Sequence, residues 1–273
     1  MQFRALTTAK INEFLAVGLP DETGYHPIET IFQEISYGDI LEFDLGVVEN
    51  RVTFEWVPSL TAFDGTIGPL NTVSRALLLL AAKVPVPPVA VHVTKRVPPE
   101  SGLGAGSADA AETLRVFHTR FPETVTAEVL LDIAPAIGAD VTFFLRGGRA
   151  FGTGRGDILR PLPDLPARSV VILRPKVGGS TKLMYQALDQ QSRPLVAFNG
   201  ELGHNDFERV ADCDSLELID LLKTLGAVSA GLSGSGSAVY GFFSSRKAAE
   251  WASAKVSSAD AVFNVVTETC AAR

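Results

Sequence analysis

The chain has 273 residues, is 46% hydrophobic, and carries a net charge of −7 from 24 basic and 31 acidic side chains. That length can bury one large core or two closely packed ones, and the acidic balance argues against a broad basic surface for nucleic acid while leaving room for a local phosphate pocket. Cys213 and Cys270 are the only cysteines; they give no disulfide framework and no metal-ligand spacing, which fits a reducing, cytoplasmic setting. No secretory signal is visible. The most apolar stretch, residues 76–82, is cut by Lys83, Pro85, Pro87 and Pro88 and is too short to span a bilayer. The expectation is therefore no nucleic-acid partner and no membrane.

In chain order, residues 3–10 read weakly as a strand continued by 13–17, and 28–35, 41–45 and 52–56 repeat the strand pattern. Residues 71–83 read as a buried helix capped by Asn71 or Thr72. An alternating run at 89–97 reads as a strand, and residues 110–116 as a helix. Residues 126–134 are a further helix, and 141–145 a short strand or turn ended by Gly147-Gly148. The proline-rich segment 161–167 reads as the join between two halves. Strand 169–173, a helix from Ser180-Thr181 to Leu188, and helices at 205–210 and 215–225 follow. Strands at 227–231 and 239–243 flank a second glycine-rich turn. A helix at 247–256 and a strand at 261–267 close the chain. Interleaved strands and helices behind a β-rich start predict an α+β fold.

The stretch Pro98-Pro99-Glu100-Ser101-Gly102-Leu103-Gly104-Ala105-Gly106-Ser107-Ala108 lies between the predicted strand and helix. Glycines in such a turn let backbone N–H groups approach an anion, and the helix start adds unpaired N–H groups and its dipole. The spacing is neither Walker A nor Rossmann. A plain tight turn with Ser107 capping the helix is the simpler alternative.

The wider pattern, Pro-x-x-x-Gly-Leu-Gly-x-Gly-Ser-x-Asp-Ala-Ala, resembles the phosphate loop of the GHMP kinases. Ala105 and Ala108 depart from the usual Gly and Ser. The lost hydroxyl leaves Ser107 as the expected ligand to phosphate or Mg²⁺. Four further segments resemble the branch of that family whose acceptor carries a cytidine diphosphate. They are Ala9-Lys10-Ile11-Asn12 with Gly24-Tyr25-His26, residues 138–145 beginning Gly-Ala-Asp140, residues 231–238 around Ser233-Gly234, and Asn205-Asp206-Phe207-Glu208, read as a structural helix cap. Thr8, Thr23 and Thr142 depart from the pattern. Weaker matches are Val177-Gly178-Gly179-Ser180-Thr181 with Tyr185, where Gly179 departs, and Asn71 near the adenine. His92, His118 and His204 fit no pattern.

The resemblance implies a two-domain fold, with an ATP-binding domain over 1–160 and a C-terminal domain over 161–273. It implies ATP-dependent phosphorylation of the 2-hydroxyl of a cytidyl-diphosphate-linked methylerythritol on the non-mevalonate (MEP) isoprenoid route. Lys10 and Asp140 would be catalytic. Asp140 precedes an apolar run and is a costly carboxylate to bury alone, so Lys10 is its expected partner. Pro98, Pro99, Ser101, Gly102, Leu103, Gly104, Ala105, Gly106, Ser107, Ala108 and Asn71 would hold ATP, with Ser107 reaching Mg²⁺. Asn12, Tyr25, His26, Thr181, Tyr185, Ser233 and Gly234 would hold the acceptor. The chain would act as a monomer or homodimer. Two alternatives stand beside this: another small-molecule kinase of the family, of the homoserine or mevalonate type, and a nucleotide-binding sensor without chemistry. Gly24-Tyr25-His26 argues against the first, and the presence of both Lys10 and Asp140 against the second.

Overall fold

A computed structural model describes residues 1–63, 68, 70–176, 178, 180–191 and 194–273. The chain forms two compact units that interleave along the sequence: residues 1–9, 37–99 and 104–146 in one, and 10–36, 100–103 and 147–273 in the other.

The first unit is built on a four-stranded sheet. Its strands are β1 (Gln2–Leu6), β4 (Ile40–Asp44), β5 (Arg51–Trp56) and β6 (Ala90–Lys95), in the order β1-β4-β6-β5. β5 and β6 pair in parallel, so a crossover must join them, and it carries helix α1 (Thr72–Lys83). Helices α2 (Ala105–Arg120), α3 (Ala127–Ile137) and α4 (Ala139–Arg146) complete the unit. Asn71 is the N-cap of α1, as its sequence predicts, and Thr126 caps α3.

Two expectations fail here. Residues 141–145 are helical rather than a strand or turn. Val141, Phe143 and Phe144 are all buried, a spacing that one face of a helix satisfies and one face of a strand does not. Ser107 is not the cap of α2. The helix starts earlier, with Gly104 at its N-cap in a left-handed conformation (φ 73°), and Ser107 sits inside the first turn. Among L residues a positive φ is costly, which is why a glycine holds that place.

The second unit holds two four-stranded sheets. One contains β2 (Ala9–Val17), β3 (Ile28–Ile35), β7 (Arg149–Thr153) and β8 (Ile158–Pro161) in that order. The other is β10 (Ser229–Leu232), β11 (Val239–Phe243), β9 (Ser169–Arg174) and β12 (Phe263–Glu268). Helices α5 (Thr181–Asp189), α6 (Cys213–Thr224) and α7 (Arg246–Ser253) belong to this unit. Its core runs through Leu15, Val171, Leu173, Phe207, Leu222, Val239 and Phe243. β2 is buried along its whole length, although it carries Lys10, Asn12 and Glu13. Glu13 is held by Arg149 at 3.0 Å and by Arg168. The sequence pattern runs β1 into β2, but the strand breaks at Thr7. There the Thr7 N–H donates to the Asp39 carbonyl, and the Asp39 N–H donates to Thr7 Oγ1.

Candidate active site

In the first unit the chain leaves β6 at Lys95 and turns at Pro98-Pro99, and after residues 100–103, which belong to the second unit, it enters α2 through Gly104. Gly104 has no side chain to accept from the first-turn N–H groups, and that turn holds no acidic residue. A helix start left in this state suits an anion. The Thr72 hydroxyl donates to the Gly106 carbonyl at 2.6 Å, tying the start of α1 to the first turn of α2. Ser107 Oγ lies 3.5 Å from the point a Cβ on Gly138 would occupy, so its hydroxyl borders the backbone just before Asp140. Asp140 is half-buried in the first turn of α4. The Asn71 side chain is engaged in capping: its Oδ1 accepts from Ser74 N–H, and its Nδ2 donates to the Gly68 carbonyl and to Ser74 Oγ.

A buried triad holds the two ends of this loop. Lys95 Nζ donates to Asp39 Oδ2 and, at 2.7 Å, to Asp109 Oδ2 on α2. Asp39 Oδ1 accepts from the N–H groups of Arg96 and Val97 at 2.6 and 2.8 Å. Burial opposes the charge on Lys95, but Asp109 and Asp39 together outweigh it and hold the ammonium above the ordinary lysine range. Burial pushes the Asp109 carboxyl up, against the pull of Lys95 and with Asp39 adding to the push. Sequence reasoning missed this triad. The signal was the alternation Val91, Val93, Lys95 on β6, which turns a lysine toward the core and so demands a carboxylate there. Lys95→Met leaves two buried carboxylates without their cation. We expect a loss of about 3–5 kcal/mol in stability, read as a lower urea midpoint. An unchanged midpoint would show that the triad does not hold the loop.

Within the second unit, Lys10, Asn12, Ser101, Gly102, Leu103, Ser233 and Gly234 come together. Lys10 N–H donates to the Leu103 carbonyl at 2.9 Å, and Lys10 Nζ donates to Asn12 Oδ1 at 2.7 Å. The Ala238 N–H donates to the Ser101 carbonyl. The Ser233 hydroxyl donates to the Gly102 carbonyl at 3.1 Å. Gly102 (φ 78°) is packed so closely that a Cβ would fall 1.9 Å from the Ser233 carbonyl oxygen. A Cβ on Gly234 would lie 3.3 Å from both Lys10 Nζ and Gly102 Cα. The two glycine-rich segments therefore touch through backbone.

Asn205 is a cap, as its sequence suggests, with Oδ1 accepting from Phe207 N–H. It also has a second task that the sequence does not reveal. Its Nδ2 donates to the carbonyls of Leu232 and Gly234, both at 2.9 Å, so it pins the second glycine loop.

A cluster of rings occupies the same unit. The His26 and Tyr185 rings are 4.8 Å apart, and Tyr185 meets Phe207 edge-on at 4.9 Å. His26 Nε2 lies 2.7 Å from Asp189 Oδ1. Tyr25 is half exposed, with the Arg155 guanidinium 3.5 Å from its ring centroid. Thr181 Oγ1 and Ser235 Oγ are 2.8 Å apart. Val177 and Gly179 lie outside the described residues. Lys10 and Asp140 belong to different units, and their pairing is part of the functional proposal.

Family models describe the same segments. "GHMP kinases N terminal domain" matches residues 71–148, and "GHMP kinases C terminal" matches 198–261. A 4-diphosphocytidyl-2-C-methyl-D-erythritol kinase of Solibacter usitatus (strain Ellin6076) is 34% identical, over 88% of this chain and 81% of that protein. The chain belongs to the GHMP kinase family. The crystal structure of a 4-(cytidine 5'-diphospho)-2C-methyl-D-erythritol kinase superposes on this GHMP kinase with a TM-score of 0.80 at 28% identity, covering 98% of this chain and 99% of that one. A mevalonate kinase of L. major, at 15% identity and a TM-score of 0.66, shares the fold alone. The family models span the glycine loop, Asp140, Ser233 and Gly234, but not Lys10, Asn12, Tyr25, His26, Thr181 or Tyr185. Those residues fall in the part of this GHMP kinase that only the full-length similarities reach.

Among the described residues, no helix is long and apolar enough to cross a membrane, and no group of three His, Cys, Asp or Glu side chains could hold a metal ion. Mg²⁺ in a kinase is held by substrate phosphates and one or two protein oxygens. The uncapped start of α2 and the Ser107 hydroxyl fit a metal–triphosphate held in that way.

Proposed function

We propose that this chain transfers the terminal phosphoryl group of ATP to the 2-hydroxyl of 4-diphosphocytidyl-2-C-methyl-D-erythritol, on the MEP route. The observation that carries the reading is the 28%-identical solved kinase of that name, which covers nearly all of both chains. Its coverage extends over the segments that the family models leave out. The family's N- and C-terminal portions would divide near residue 160, between the two family-model matches.

In this reading Gly102 to Ala108 cradle the triphosphate, with Pro98, Pro99 and Ser101 shaping the approach. Asn71 flanks the adenine through its backbone, since its amide is spent on capping. Ser107 would offer its hydroxyl to Mg²⁺, which would supply neutralisation of the phosphate charge. Asp140 orients the acceptor hydroxyl and takes its proton as the new O–P bond forms and the bond to the β-phosphate breaks. Lys10 pairs with Asp140 and offsets charge on the transferring group. A loose transition state needs little push from a base, so positioning matters more than basicity. Asn12, Thr181, Ser233 and Gly234 line the acceptor. Tyr25 and Tyr185 offer faces to the cytosine, and His26 its backbone or its second ring nitrogen, because Nε2 already faces Asp189. The enzyme would work in the cytoplasm as a monomer or homodimer.

The test is acceptor recognition. Stacking on an aromatic contributes roughly 1–3 kcal/mol per base. Tyr25→Ala and Tyr185→Ala should each raise KM for the cytidyl substrate by about one to two powers of ten, with KM for ATP near wild type. CMP or CDP should compete with the acceptor and not with ATP. Competition against ATP alone, with acceptor KM unmoved in both variants, would leave a GHMP kinase of another specificity.

A further inference from the structure

Lys10 Nζ does not simply meet Asn12; it stands at the head of a directed chain of hydrogen bonds that ends in the backbone. Lys10 Nζ donates to Asn12 Oδ1, Asn12 Nδ2 donates to Thr30 Oγ1, and the Thr30 hydroxyl donates to the Phe14 carbonyl, each at 2.7 Å. Thr30 is fully buried on β3, and Lys10, Asn12 and Phe14 lie at alternate positions of β2. The chemistry of the members fixes the direction. A backbone carbonyl can only accept, so the Thr30 proton is spent on Phe14. The Thr30 oxygen is then left as an acceptor, which requires the NH₂ side of the Asn12 amide. Asn12 is thereby held with its carbonyl toward Lys10, and an ammonium can only donate. The backbone of Asn12 is fixed as well, because the Tyr240 hydroxyl donates to its carbonyl at 3.0 Å.

We propose that Thr30 is a positioning residue for the phosphoryl transfer: it sets the orientation of the Asn12 amide, and through it the place of the Lys10 ammonium. This rests on the reading of Lys10 as a catalytic group. Without the Thr30 hydroxyl, the Asn12 Nδ2 loses its buried acceptor, and only the Lys10 ammonium is left to hold the amide in its present orientation. Turned over, it would present N–H groups to an ammonium, and Lys10 would move away. Bonds of this kind reinforce one another in a buried setting, and displacement of a reacting group by about 1 Å costs on the order of 10²-fold in rate.

Thr30→Val keeps the shape and removes the hydroxyl; Thr30→Ser keeps the hydroxyl. In Thr30→Val, kcat should fall about 10–100-fold, with KM for ATP within about threefold of wild type. Thr30→Ser should restore most of kcat. A second readout needs no activity: solvent exchange of the Asn12 side-chain NH₂ protons, followed by ¹⁵N NMR. These protons should be protected in the wild type and in Thr30→Ser, and exchange faster in Thr30→Val. A Thr30→Val enzyme with wild-type kcat overturns the proposal. So does a rise of both KM values together, or a failure of serine to rescue, since either marks general loosening. If the wild-type enzyme does not turn over the cytidyl substrate, the reading of function fails and the NMR decides for Thr30. Unchanged exchange in Thr30→Val then overturns the proposal, and faster exchange rescued by serine upholds Thr30 as the residue that orients Asn12.

Discussion

Asp140→Asn is expected to lower turnover by ~10²–10⁴-fold, the span for a positioned acid–base group. The substitution keeps the shape and hydrogen-bonding reach of the side chain and removes its charge. It lies in the first turn of α4, and Ser107 Oγ borders the backbone two residues before it. ATP affinity should stay near wild type, because the proposed triphosphate cradle is the start of α2 and not α4. Single-turnover kinetics with saturating ATP and acceptor would measure the chemical step directly. A variant that keeps more than about a third of wild-type turnover on that scale ends the assignment of Asp140 to the chemistry.

Gly102→Ala should weaken ATP binding by about 10²-fold, the scale of an ångström-sized misplacement in a pre-organised site. Two costs act on the variant. A left-handed backbone at φ 78° costs an L residue about 1–2 kcal/mol. The added Cβ would also fall 1.9 Å from the Ser233 carbonyl oxygen, and carbonyl and loop are backbone on both sides, with no flexible side chain to give way. The two glycine-rich segments must therefore part. Gly226→Ala separates these costs: its φ is 91°, and a Cβ there meets nothing within 4 Å. That control should lose stability by the left-handed cost and leave ATP affinity alone. Calorimetric titration with ATP reads both variants. Equal dissociation constants for Gly102→Ala and wild type would make Gly102 a turn residue and nothing more.

The sequence by itself determined most of the element order, the α+β class and the family, because those rest on local information. Burial alternation marks strands such as β6, cap residues such as Asn71 and Thr126 mark helix starts, and a run such as Gly102-Leu103-Gly104 marks a turn where backbone must come close to something. The strand β7 was hidden because Gly147-Gly148 reads as an end, although Ala150 and Gly152 alternate with Phe151 and Thr153 just beyond it. The helix α4 was misread because eight residues carry too few turns for a 3.6-residue period to separate from a strand's alternation. What only the tertiary structure decided is which polar groups meet. Lys95 finds Asp39 and Asp109, Asn205 reaches back to Leu232 and Gly234, and Thr30 meets Asn12 across two strands. These partners are far apart in sequence, and nothing in the local pattern names them. Each buried polar group must find some partner, but only the packing of the strands and helices selects which one.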